Sequence, residues 1–154
     1  MKSIVTLSEA IQKIEKYCAY QDRCHQEVRS KLLSMGIYGD DLEGVIAELI
    51  GNNFLNESRF ARSFVRGKFR IKKWGRVRIQ LELKKRQVSS YCIREGLREI
   101  EEGEYHTVLC DLIHQKAAIL SEEDMFKKRQ KVARFLIGKG YESNLVWNNI
   151  ENVM

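Results

Sequence analysis

Apolar residues recur along the chain at positions i, i+4, i+9, i+14, i+18 and i+21, and the pattern appears three times. Val28, Leu32, Ile37, Leu42, Ile46 and Leu49 form the first set, and Ile79, Leu83, Val88, Ile93, Leu97 and Ile100 the second. Val132, Leu136, Tyr141, Val146, Ile150 and Val153 form the third, so a shift of 51 residues followed by one of 53 superposes all of them. Spacings of three and four are those of one face of an α-helix. Self-similarity at a period of about fifty residues marks a repeat architecture. The expected fold is all-α, with three tandem three-helix repeats over residues 1–55, 56–102 and 103–154. They would stack into an elongated, curved, right-handed-type helical array.

Local signals place the helices within this frame. Ser8 is the expected N-cap of a first helix through Ala10, Ile11, Ile14 and Cys18. His25 to Ser34 gives a second, ended near Gly36. Asp40-Asp41-Leu42-Glu43 has the form of a capping box and opens a third, stopped by Gly51-Asn52-Asn53. Val77, Ile79, Leu81 and Leu83 alternate with polar residues, which in isolation predicts a half-buried strand. Their counterparts in the other repeats do not alternate, so this stretch is expected to be helical too. A long helix from Glu104 to Leu120 should point Tyr105, Val108, Leu109, Leu112 and Ile113 inward. Ser121 to Asp124 recaps the chain before Phe126 to Ile137, Gly138 and Gly140 close that helix, and Asn144 starts the last.

Composition narrows the class. The 154 residues are 44% hydrophobic and 31% charged, with no proline, which suits helices joined by short connections. Residues 1–11 carry a single Lys and too short an apolar run for a secretory signal. No run approaches the roughly 20 apolar residues of a membrane span. Cys18, Cys24, Cys92 and Cys110 form no CxxC pair, which points to free thiols in a reducing compartment. The expected location is cytoplasmic.

Charge changes the picture most. Between Arg59 and Arg98 there are fourteen Lys and Arg against only Glu82 and Glu95, whereas the remaining sequence holds thirteen basic and nineteen acidic residues. A basic centre between acidic ends suits a polyanionic or acidic partner. Arg59, Arg62, Arg66, Arg70 and Lys73 are spaced 3, 4, 4 and 3 apart. At about 100° per residue they share an arc of roughly 80° on a helix. Phe60, Ala61, Phe64, Val65 and Ile71 fill the arc beside and behind them. A second basic segment follows Trp74-Gly75, with Arg76, Arg78, Lys84, Lys85 and Arg86. Aligned cations without interleaved Glu give up stabilising i, i+4 pairs, which favours a binding role over a merely solvated face. These ten cations are the candidate contacts to DNA or a partner, by phosphate charge and not by base readout. Trp74 is a candidate for base stacking, against the alternative of an anchor for the Trp-Gly corner.

Catalytic chemistry finds no support. His106, Cys110 and His114 lie at i, i+4 and i+8, but a structural zinc site takes four ligands and no fourth is near in sequence. Adjacent Cys24 and His25 would point about 100° apart on a helix, with no orienting acid. No P-loop or nucleotide fingerprint is present. The expectation is a protein that is not an enzyme, without metal or cofactor.

Three segments together resemble a known family. Tyr20-Gln21-Asp22-Arg23-Cys24-His25-Gln26-Glu27-Val28 looks like its segment ending in a Glu-Leu pair. Asn53-Phe54-Leu55-Asn56-Glu57-Ser58-Arg59-Phe60-Ala61 is similar to its turn into a long helix. Trp74-Gly75-Arg76-Val77-Arg78-Ile79 with Glu82-Leu83 resembles its aromatic-Gly signature. The family is that of the RecX regulators of the bacterial RecA recombinase, and the likeness covers nearly the full length. Gln87 departs from it where a Gly is usual, Cys24 where Ser is common, and Val28 where Leu stands. The resemblance implies a monomeric regulator that binds RecA and its single-stranded-DNA filaments. It would curb filament growth, ATP hydrolysis, strand exchange and co-protease activity in DNA repair and the SOS response, with weak affinity of its own for single- or double-stranded DNA. A sequence-nonspecific nucleic-acid-binding helical module and an adaptor for an unrelated acidic protein are the competing readings of the same cations. Reversing charge at Arg62, Arg66 and Arg70 together is expected to abolish inhibition with little change in melting temperature.

Overall fold

The computed structural model describes residues 5–154, so the part of the N-terminal signal expectation that falls on residues 1–4 lies outside the described residues. Every regular element among the described residues is an α-helix. They are α1 (Leu7–Tyr20), α2 (His25–Ser34), α3 (Gly39–Gly51), α4 (Glu57–Arg70), α5 (Arg76–Lys85), α6 (Ser90–Leu97), α7 (Glu102–Ile119), α8 (Met125–Gly138) and α9 (Ser143–Val153). None of these helices is long and apolar enough to cross a membrane.

The repeated apolar register is the core. Sixteen of its eighteen positions are buried, and only Leu97 and Val153 are partly exposed. The ambiguous segment is helical, as its counterparts required. Ile79 and Leu83 are fully buried, while Val77 and Leu81 are 44% and 54% exposed. Their alternation with polar residues therefore reports a wide apolar helix surface and no strand.

The repeats also share a turn. The second helix of each ends two residues before a left-handed position: Gly36 (φ 84°), Gln87 (φ 60°) and Gly140 (φ 102°). At all three, the next residue's N–H bonds the carbonyl five residues back: Ile37 to Leu32, Val88 to Leu83 and Tyr141 to Leu136, at 3.0–3.2 Å. The left-handed residue itself donates to the carbonyl three back, completing a Schellman closure. Each closure drives an apolar residue (Ile37, Val88 or Tyr141) into the core. Gln87 adopts the backbone that Gly serves elsewhere, so the departure from the family pattern is a strain at one residue and leaves the turn intact.

Several helix starts differ from expectation. Thr6, not Ser8, caps α1, its Oγ1 accepting from Glu9 N–H at 3.1 Å. The Asp40–Glu43 box does not form. The N-cap of α3 is Tyr38 with no side-chain bond, and Glu43 instead forms an ion pair with Arg29. The start of α8 agrees with the expected recapping segment, since Asp124 caps it by accepting from Lys127 N–H. The N-cap of α9 is Glu142, two residues before Asn144. At α1 a neighbouring hydroxyl wins over the expected cap, at α3 and α9 Glu43 and Glu142 are held by tertiary partners, and at α8 the expected segment supplies the cap. At α2, Glu27 accepts from Cys24 N–H at 3.2 Å, and burial pushes the Cys24 thiol up to about 11. That thiol is a protonated cap residue.

The described chain divides into two compact units. One runs to Ser63 and takes in Leu83–Gly96; the other comprises Phe64–Glu82 and Leu97–Met154. The middle repeat is thus shared out between them. In the first unit α1, α2 and α3 pack on one another around Ala10, Ile14, Cys18, Val28, Leu32, Val45 and Leu49. In the second, α7, α8 and α9 form the corresponding trio, with Leu109, Ile113, Val132, Leu136, Val146 and Ile150 buried.

Candidate functional site

The basic helix α4 forms because Phe60, Ala61, Val65 and Phe69 give it a buried face at helical spacing. Ile71 does not join that face. The helix ends at Arg70, and Ile71 is 78% exposed. Lys73 also leaves the stripe, since it sits past the helix end with φ 58° as part of the closing turn.

The stripe cations play different parts. Arg59 is bound within the fold: its Nε donates to Asp22 Oδ1 at 2.6 Å, and its two Nη donate to the carbonyls of Asn53 and Phe54 at 3.1 and 3.2 Å. Those carbonyls lie just past the end of α3, so Arg59 ties the start of its own helix to the exit of the preceding one. Arg62 donates to Ser58 Oγ at 2.6 Å, and Arg66 pairs with Glu99 at 3.1 Å. Arg70 is exposed.

The Trp74-Gly75 corner is set by close approach of backbones within the second unit. Gly75 N–H donates to Lys139 O and Val77 N–H to Gly140 O, each at 2.9 Å. A Cβ on Gly75 would overlap the Gly140 carbonyl, and a Cβ on Gly140 would overlap Arg78. Only two glycines allow the start of α5 to press on the turn that ends α8. Tyr141 Oη donates to Lys73 O at 2.9 Å, and Lys139 Nζ to Lys72 O at 3.1 Å, closing the same seam.

Arg76 belongs to this seam as a structural residue. Its Nε donates to Glu142 at 2.8 Å, its Nη1 pairs with Glu102, and its guanidinium lies 4.0 Å from the Tyr105 ring centroid. Burial works against its charge, but the bond to Glu102 and the Glu142 carboxylate outweigh it and hold its pKa above the ordinary value. Tyr105 Oη donates to Glu142 and accepts from Arg76 N–H; burial first, then Glu142, push the phenol upward.

Arg78 is the reverse case. It is exposed, its guanidinium lies 4.1 Å from the Trp74 ring centroid, and Lys68 Nζ lies 4.9 Å from the same centroid. The Trp74 ring therefore supports two cations. Lys84 and Lys85 are exposed and Arg86 half-buried at the end of α5 in the first unit, where cations also complement the helix dipole.

Sequence reasoning missed Lys139. Burial, then the nearby Arg78 charge, hold its ammonium below the ordinary lysine value. It comes from the end of α8, and no local pattern joins it to Arg78. The repeat register holds one clue, because it places Gly140 at a tight turn. Elsewhere, Cys110 lies 3.7 Å from His106 Nε2 and donates to Asn149 Oδ1 at 3.4 Å. Burial, then Asp111, raise this thiol. Among the described residues, no group of three His, Cys, Asp or Glu side chains is placed to hold a metal ion.

Two family models match the chain: RecX, second three-helix domain, over residues 56–97, and RecX, third three-helix domain, over residues 104–148. A regulatory protein RecX from Salmonella paratyphi C is 30% identical over 147 residues, covering 85% of each chain. The chain belongs to the RecX family. A RecX from Prosthecochloris aestuarii is 25% identical over 146 residues, 95% of this chain and 94% of the relative. One from Lactobacillus gasseri is 33% identical over 142 residues, 90% of this chain but 51% of the relative, so this chain spans about half of that protein. The crystal structure of RecX from Lactobacillus salivarius superposes with a TM-score of 0.86 at 24% identity, covering 96% of each chain. A second RecX crystal structure gives 0.84 at 20% identity, covering 95% of this chain and 71% of the other. These structures share the fold of tandem three-helix domains, and the RecX relatives are regulatory proteins by name.

Proposed function

We propose that this RecX-family chain binds RecA and its filaments on single-stranded DNA and restrains their growth, ATP hydrolysis, strand exchange and co-protease activity. The observation that carries the reading is family membership across nearly the whole chain, with exposed cations inside the segment that matches the second three-helix domain. The contacts are assigned to Arg70, Lys73 and Arg78 in the second unit and to Lys84 and Lys85 in the first. Arg59 and Arg76 are set aside because their guanidiniums are taken up by intramolecular bonds. Arg66 also drops out of a clean charge-reversal test, since a glutamate there would face Glu99. The protein acts in this reading by binding alone, as a monomer in the cytoplasm, without cofactor.

The test is RecA's DNA-dependent ATP hydrolysis, titrated with the purified chain. Slowing at ratios well below one per RecA is expected, and an unchanged rate across a wide titration sinks the proposal. R70E with K73E should weaken the inhibition at least tenfold in required concentration, with unchanged helicity by circular dichroism.

A further inference from the structure

Lys139 follows α8 on the backbone seam of the second unit, half-buried, with its side chain tied in place. Nζ donates to Lys72 O at 3.1 Å. The Phe135 ring centroid stands 5.7 Å from it, and Lys116 Nζ lies 4.4 Å from the same centroid. Arg78 comes alongside because the Gly140 turn presses directly on its backbone. Carboxylates of the unit pair with Arg66, Arg76 and Lys131, and none pairs with Lys139, Arg78 or Lys116 among the described residues.

A lysine keeps its proton when water or a carboxylate surrounds the ammonium. Here burial first, then the Arg78 charge, disfavour that form. A lysine that is desolvated and set beside another cation is an activated amine, a nucleophile at neutral pH. The bond to Lys72 O survives loss of the proton, because the free amine still has an N–H to donate. That bond holds the nitrogen in position and leaves its lone pair directed elsewhere. The same cations that disfavour the ammonium attract an anion to its side. The setting therefore selects an electrophile that carries negative charge.

We infer that Lys139 is a modification site, where its amine takes the acyl group of a small acyl phosphate whose phosphate rests against the Arg78 guanidinium. The ammonium first gives one proton to water. Nζ then attacks the carbonyl carbon, and a C–N bond forms as the C–O bond to phosphate breaks. The bond pair leaves with inorganic phosphate, and the surplus proton on nitrogen ends on that phosphate. The product amide keeps an N–H for Lys72 O, so the fold is retained while one positive charge beside Arg78 is lost. This goes beyond the RecA reading and does not depend on it.

The experiment incubates the full chain with acetyl phosphate near neutral pH, without RecA. Peptide mass spectrometry follows each lysine at low total modification. Lys139 should acetylate at least about threefold faster than Lys13, Lys16 and Lys127, which are exposed. Unfolding the chain in guanidinium chloride should erase that lead, because the burial and the nearby Arg78 exist only in the fold. R78Q should slow acetylation of Lys139 about threefold or more, and leave Lys13 of the first unit unchanged. With the neutral donor N-hydroxysuccinimidyl acetate the R78Q effect should be smaller, since only the activation of the amine is then lost. Acetylation of Lys139 no faster than that of the exposed lysines overturns the inference, as does a lead that persists in the unfolded chain or that R78Q leaves untouched. An R78Q effect equally large with the neutral donor overturns the assignment of an acyl phosphate. No RecA is present, so failure here leaves the filament proposal standing, and the reverse also holds.

Discussion

Gly36 and Gly140 occupy the same place in the first and third repeats, and their surroundings differ sharply. Both follow the second helix of their repeat with positive φ, and both release an N–H into the same Schellman pattern. Around Gly36 an added Cβ would meet nothing within 4 Å, whereas at Gly140 it would overlap the backbone and side chain of Arg78. The repeat set the turn, and the third repeat then used the missing side chain to seat the Trp74-Gly75 corner. One position thus serves a local requirement in one unit and a local plus a tertiary requirement in the other.

Substitution should separate the two requirements. G140A is expected to cost at least about 3 kcal/mol, since backbone has to move away from backbone, whereas G36A should cost about 1 kcal/mol for the left-handed conformation alone. Thermal melts of both variants check this, and equal losses would mean that the seam does not restrict Gly140. A second contrast lies within α4. R59A should lose about 2 kcal/mol because it leaves Asp22 and two carbonyls without their charged donor. R70A should stay within about 0.5 kcal/mol of the parent, as a surface change does. Urea midpoints of the pair decide whether the stripe divides as described. The smallest effect is a gain. Gln87 holds φ 60° at the equivalent turn, so Q87G should stabilise the chain by up to about 1 kcal/mol, the relief of strain offset in part by a looser unfolded state. A lower melting temperature for Q87G would show that its side chain contributes more than its backbone costs.

The apolar register and the glycine turns were legible because both are local. Val28, Ile79 and Val132 are buried for the same reason of helical period, and the left-handed closures follow at fixed distances from them. The all-α class and the tandem three-helix arrangement came from that periodicity, and it overruled the strand-like alternation of Val77 to Leu83. The cationic arc on α4 was equally visible, but its use was not. Sequence spacing placed Arg59 and Arg70 on one face and treated them alike, although one is bonded to Asp22 and the other is exposed to solvent.

Residue order alone was enough to say which repeated apolar positions face the core, where the helices before Gly36 and Gly140 turn back, and that charge concentrates in the middle of the chain. Each of these depends on neighbours within a turn or two of helix. It took the packed chain to make Arg59 and Arg76 holders of the fold, to bring Gly75 onto Gly140, and to rest Lys139 beside Arg78. The physical reason is that a charge or a bare Cα takes its role from whatever is brought within a few ångströms of it. That partner sits far along the chain, where no periodicity reaches.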